Sequence, residues 1–296
     1  MFDRLLVPTD GSDVAQNATE YATGLASRFG AEVHLVWVLT EWSPPLGVAL
    51  PDDTVLTEAA EKFLTEARES ALAEGLDVET AILETDDGVT EALLDYAADM
   101  DIEAIVMGTE GRTGLDRLTL GSTTESVLRQ SEIPVFTVRA ETERDRPTFD
   151  RILAPTDGSK PSLAAVDHAA SLAVATGATL DILHVIEPAP GWDGVSTGTL
   201  NDALEDAGEN TLDAAVDRVT DLGVSKVERS LVWGVPHSAI LKHAKKTGAD
   251  CIVMGTRGRA GLTAELLGSV TQRVVRRSPV PVVGLHGPKD EEQGEE

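Results

Sequence analysis

The segment FDRLLVPTDGS at positions 2–12 returns at 149–159 as FDRILAPTDGS, with nine of eleven letters identical. The same offset, 149 minus 2 or 147, carries Met107-Gly108-Thr109 onto Met254-Gly255-Thr256, Gly121-Ser122 onto Gly268-Ser269, and Pro134 onto Pro281. This offset is far longer than the roughly 20–50-residue units of solenoids, so it marks a duplicated domain. In a chain of 296 residues each copy is long enough to bury its own core. The expected layout is a first domain over 1–140, a charged linker over 141–148, a second domain over 149–287 and an acidic, disordered tail over 288–296.

Short runs rich in Val, Ile and Leu at 4–8, 33–39, 78–83, 103–107 and 133–138 read as buried strands. Stretches with helical spacing at 12–29, 53–74, 89–99 and 122–130 separate them. Strict alternation of strand and helix predicts an α/β fold: two tandem doubly wound, Rossmann-like domains, each a five-stranded parallel sheet with helices on both faces. The switch point of such a sheet falls between the first and fourth strands, where ligands collect at the strands' carboxyl ends. Pro134 and Pro281, near the starts of the fifth strands, suit an edge position because Pro lacks a ladder N–H.

Composition narrows the function. Fifty-one acidic residues oppose 24 basic ones, seven of them Lys, for a formal net charge of -27. A field of that sign repels nucleic acid and anionic membranes. The acid-rich, Lys-poor balance resembles that of proteins from salt-loving archaea; an acidic protein of ordinary habitat is the competing reading. One Cys excludes an internal disulfide framework, and Cys251 in the apolar run CIVMG reads as a small buried hydrophobe. The opening MFDRLLVPTDGS reads as a first strand rather than a secretory signal, so a cytoplasmic location is expected.

Two motifs fall at the predicted switch point. After the fourth strand the copies read Gly108-Thr-Glu-Gly111 and Gly255-Thr-Arg-Gly258; nine residues follow each, then Gly121-Ser122 and Gly268-Ser269 open a helix. Glycines let backbone N–H groups converge on an anion, and a helix N-terminus adds free N–H groups and a positive dipole end. Arg112 and Arg259 lie beside the glycines. The competing reading is a capping box, Ser122 with Glu125 and Ser269 with Gln272, which exists only to start helices. Asp10 and Asp157, in Pro-Thr-Asp-Gly-Ser after the first strand, either accept hydrogen bonds from a sugar or base or serve as turn residues before Ser12 and Ser159.

This ordered set, with a last strand opened by Pro, resembles the nucleotide-binding branch of the universal stress protein (UspA) family over nearly all of both copies. The resemblance implies that Asp10 with Val38, and Asp157 with Val185, flank adenosine. It implies that Gly108, Gly111, Gly121, Ser122 and Thr124 in one copy, and Gly255, Gly258, Gly268, Ser269 and Thr271 in the other, hold phosphates. It further implies an internal pseudo-dimer joined through the fifth strands, and it allows a homodimer of tandem chains. Glu110 corresponds to Arg257, so the second site is expected to bind ATP more tightly.

The expected function is that of an adenine-nucleotide-binding stress-response or signalling protein, the nucleotide acting as a regulatory ligand with little or no hydrolysis. A slow ATPase or adenylyl-transferring enzyme, and a ligand-free interaction module, are the alternatives; no Walker-type loop, catalytic triad signature or kinase motif set appears. The spacing of His237 and His243 does not suit metal ligands on adjacent helical turns, whereas magnesium carried by a polyphosphate needs no protein cage. Trp37, Trp42, Trp192 and Trp233 suit packing or a groove rim better than base stacking, and His184, matching Trp37 by the repeat, reads as ordinary variation.

Overall fold

A computed structural model describes residues 1–40, 53–109, 120–140, 142, 147–188, 198–258 and 266–287. The expected tail at 288–296, and all of the expected linker but 142, 147 and 148, lie outside the described residues. The chain divides into two compact units, Met1–Thr148 with Val275–Val282, and Phe149–Val274 with Val283–Glu296.

The first copy runs β1 (Arg4–Pro8), α1 (Asp13–Phe29), β2 (Glu32–Thr40), α2 (Asp53–Ala73), β3 (Val78–Thr85), α3 (Val89–Asp99), β4 (Ala104–Gly108), α4 (Ser122–Gln130), β5 (Val135–Val138). The second repeats the order as β6 (Arg151–Pro155), α5 (Lys160–Thr176), β7 (Thr179–Ile186), α6 (Gly198–Asp221), β8 (Val227–Trp233), α7 (Pro236–Thr247), β9 (Cys251–Gly255), α8 (Ser269–Arg277), β10 (Val282–Leu285). Strand order is β3-β2-β1-β4-β5 in one copy and β8-β7-β6-β9-β10 in the other. Leu5 pairs in parallel with Val33 on one side and Ala104 on the other, and Ile152 likewise with Leu180 and Cys251. Both sheets are thus doubly wound, with the order reversing between β1 and β4, and between β6 and β9.

Burial follows position in the sheet. Leu5, Leu6, Val7, Ile105 and Val106 on the two central strands are fully buried, as are Ile152, Leu153, Ile252 and Val253 in the second copy. The run at 78–83 departs from its reading as a buried strand: β3 ends the order, and only Val78 along it is fully covered. An edge strand packed by one neighbour keeps half its surface in water. Helix α1 buries Ala15, Ala18, Tyr21, Ala22, Leu25 and Ala26, a stripe at helical spacing, and starts where Ser12 Oγ accepts a hydrogen bond from Ala15 N at 3.3 Å. Helix α5 repeats the device with Ser159 and Ser162 N at 3.4 Å.

The copies differ in how they satisfy one buried polar position. In the first, His34 Nδ1 on β2 meets Tyr96 Oη on α3 at 2.9 Å; burial, with Glu79 and Glu32 nearby, raises the Tyr96 phenol above its ordinary value and keeps it protonated. At the equivalent positions of the second, Asp181 on β7 meets His243 Nε2 on α7 at 2.8 Å, and Ser230 Oγ donates to the same carboxylate at 3.2 Å. Asp181 is wholly buried, so these partners supply what water no longer can.

His168 on α5 is held down at a pKa of about 4, against an ordinary 6.5, because burial disfavours the charged ring. The unfolded chain therefore takes up a proton near pH 6.5 that the folded chain refuses until about pH 4. Stability is full above pH 6.5 and falls as pH drops toward 4, by up to about 3 kcal/mol for this group. Urea unfolding of wild type and His168→Gln across this range is expected to show a shallower acid limb for the variant.

Candidate functional site

At the carboxyl ends of β6, β7 and β9 the second unit encloses a cavity of about 780 Å³, within the range of small-molecule sites. Asp157, Val185, Gly255, Arg257, Gly258, Gly268, Ser269 and Thr271 all line it. These residues come from four separate segments of the sequence and meet at the switch point. Arg259 lies outside the described residues.

The glycine side is built from main-chain contacts. Thr271 Oγ1 donates to Gly255 O at 2.8 Å, and Gly268 N donates to Thr256 O at 2.8 Å, so the start of α8 is stapled to the end of β9. A Cβ on Gly255 would stand 2.9 Å from Pro161 O and 3.0 Å from Pro161 C, both backbone atoms of α5. Gly255 thus admits α5 against the strand end, a packing role that the spacing alone does not separate from approach to a phosphate. Gly258 differs: its nearest neighbour would be the Asp157 carboxylate, Oδ2 at 2.9 Å.

The capping-box reading fails in the first copy. Gly121 is the N-cap of α4, with no side-chain cap bond, and its carbonyl accepts from Glu125 N at 2.9 Å. Gly268 O accepts from Gln272 N in the same way at 2.9 Å. Both serines therefore stand one position inside the helix, where a hydroxyl cannot fold back to cap the turn. Ser269 faces the cavity instead.

Asp157 carries part of each reading made for it. Its Oδ1 accepts from Ser159 N at 3.0 Å and Ser159 Oγ at 2.5 Å, the expected turn, while the side chain also lines the cavity. Asp10 Oδ1 holds the same turn through Ser12 N at 3.0 Å. In the first copy Thr124 Oγ1 donates to Gly108 O at 2.7 Å and Gly121 N to Thr109 O at 2.8 Å, so the staple is repeated. A Cβ on Gly108 would meet Val14 Cγ1 at 2.7 Å. Ser122 is the first residue of α4, and Val38 is half-buried near the end of β2; Glu110, Gly111 and Arg112 lie outside the described residues.

Several wall residues carry no motif. From α6 come Leu204, Ala207, Gly208 and Thr211, from α7 Pro236 and Ile240, and from β7 His184, with Glu187 just beyond it. The i, i+3, i+4, i+7 stripe on α6 is a readable signal for the helix face that closes the cavity. His184 donates from Nδ1 to Thr156 O at 2.8 Å. At the matching position Trp37 is buried against Phe63, ring centroids 5.9 Å apart, whereas Trp233 donates from Nε1 to Glu205 at 3.0 Å. Trp42 and Trp192 lie outside the described residues. Among the described residues no cluster of three or more His, Cys, Asp or Glu could hold a metal ion, and no helix is long and apolar enough to cross a membrane.

The cavity wall carries polar groups of both kinds. Gly255, Arg257, Gly268 and Ser269 bring hydrogen-bond donors: the Ser269 hydroxyl, the guanidinium and the first N–H groups of α8. Asp157, beside Gly258, brings acceptors, as do His184 and Glu187, and Leu183, Val185, Ile186 and Leu204 add apolar surface.

A doubly wound parallel sheet with a glycine-edged cavity at its switch point is the architecture of a Rossmann-like α/β domain. The model of the universal stress protein family matches residues 1–139 and again 148–286. The chain therefore belongs to the universal stress protein family, as two tandem domains. It is 29% identical over 297 residues to a universal stress protein of Mycolicibacterium smegmatis, covering 94% of this chain and 95% of that one. A universal stress protein of Methanocaldococcus jannaschii is 34% identical over 146 residues, covering 48% of this chain and 85% of the relative. Among solved structures, a universal stress protein from Archaeoglobus fulgidus superposes with a TM-score of 0.72 at 28% identity, over 98% of both chains.

The two glycines separate stability from site geometry. Gly255→Ala forces backbone against backbone and is expected to cost about 1–3 kcal/mol in chemical denaturation. Gly258→Ala meets only a side-chain carboxylate, and its unfolding midpoint is expected to lie closer to wild type.

Proposed function

We propose that the second unit binds an adenine nucleotide as a regulatory ligand, its phosphates at the start of α8 and its nucleoside toward the ends of β6 and β7. The observation that carries this reading is a cavity wall in which the start of α8 and the glycine turn after β9 bring donors, while Asp157, His184 and Glu187 bring acceptors among apolar side chains. Phosphate oxygens accept hydrogen bonds and carry charge, so they match the donors; ribose hydroxyls and a base amino group donate, so they match the acceptors. Magnesium would arrive with the polyphosphate. A ligand that binds only the folded chain stabilises it by mass action, which itself supplies a stress-linked output. The first copy shares the helix staple, and we propose a weaker site there, because Glu110 stands where the second copy has Arg257.

Calorimetric titration of ATP into the full chain in concentrated KCl tests the reading. Ser269→Asp adds a carboxylate at the first turn of α8, which suits the helix dipole and preserves folding while opposing the phosphates. It is expected to weaken ATP by about tenfold or more, roughly 1.4 kcal/mol, and Ser122→Asp by less. A folded wild-type chain that takes up no ATP would sink the proposal.

A further inference from the structure

His184 is one of the wall acceptors, and the proposed function gives it no part of its own. It is half-buried near the end of β7, and its Nδ1 lies 2.8 Å from Thr156 O. A carbonyl oxygen only accepts, so Nδ1 carries the proton, and in the neutral ring Nε2 is left with a lone pair. No protein partner for Nε2 appears among the described residues, and the ring forms part of the cavity wall. Gly208 on α6 makes room for it: a Cβ there would fall 3.1 Å from His184 Cδ2 and 2.7 Å from Leu231 Cδ1. The tautomer is thus fixed from behind by a main-chain group, and the ring is held in place by a residue without a side chain.

We infer that His184 Nε2 is a specificity-determining acceptor that selects a 6-amino purine over a 6-oxo purine in the second site. The inference rests on the proposed nucleotide reading and adds to it the feature of the base that is recognised. A 6-amino group donates to Nε2. A 6-oxo group in the same place opposes one lone pair with another and leaves both without a donor, a pairing that polar sites reject strongly. The first copy has no such reader, because Trp37 occupies the matching position and is packed on Phe63.

The test uses the full chain with its first site weakened further by Ser122→Asp, and three triphosphates that differ at one substituent: ATP, purine riboside triphosphate with hydrogen at position 6, and ITP with oxygen there. The expected order of affinity is ATP, then purine riboside triphosphate, then ITP, with about tenfold or more between the extremes. In His184→Asn the side-chain amide can still donate to Thr156 O, but nothing stands in for Nε2, so ATP should lose affinity and ITP gain it until both approach purine riboside triphosphate. An unchanged order in His184→Asn overturns the inference, as does an equal loss for all three ligands, which would make the ring mere packing. The three ligands also decide the question on the His184-containing chain, without any substitution at 184, since equal affinities there overturn the inference too. If none of the three binds while the folded chain melts normally, the nucleotide reading itself has failed, an outcome distinct from binding without discrimination.

Discussion

The fold and the cavity both depend on a threonine hydroxyl in the first turn of the last helix of each copy. Thr124 closes on Gly108 O and Thr271 on Gly255 O, and in each copy a glycine N–H closes on the carbonyl of the following threonine. A parallel sheet leaves strand-end carbonyls unpaired, and a buried carbonyl without a donor costs about 1–3 kcal/mol. Satisfying those carbonyls from the next helix fixes where that helix starts. The same two bonds that finish the strand thus aim the free N–H groups of the helix at the switch point. Neither the glycines nor the serine would define a place for a ligand without them.

Charge operates on two scales in this molecule. A net charge of -27 sets a repulsive far field against any anion, whereas the start of α8 presents the free N–H groups of its first turn. Salt weakens the first over roughly 10 Å at 0.1 M but acts far less on contacts inside a concave site. Any hold on the proposed phosphates must therefore be local, through main-chain groups and Arg257, and the acidic surface opposes it less as ionic strength rises.

Much of this is legible in the sequence because a duplication supplies its own control. Apolar runs and glycine spacing place most strands and helices near their observed bounds, since buried strands and capped helices carry periodic signals. The half-exposed edge strand β3 escapes that logic, because Val-Glu-Thr-Ala-Ile-Leu gives no hint of which neighbour is missing. The serines stay open to a capping reading until the main-chain bonds of Gly121 and Gly268 show where the helices begin. The double use of Gly255 is hidden because close approach of α5 is a tertiary fact. His184 passes for ordinary variation because its setting is made by a carbonyl just beyond a neighbouring strand and by the bare Cα of Gly208, neither of which sequence places beside it.

The pair joining the second strand to the third helix has been rewritten between the copies: His34 with Tyr96 in one, Asp181 with His243 in the other. Histidine sits on the strand in the first copy and on the helix in the second. Moving α7 alone into the first copy would set one imidazole against another, which bonds only if the rings hold complementary tautomers, and moving α3 alone into the second would exchange the imidazole on Asp181 for a phenol. Each member sets the donor or acceptor the other has to supply, so substitutions at the two positions are coupled. Strand and helix are in this sense a single heritable part, and a functional chimera of the two domains has to be cut outside that part rather than through it.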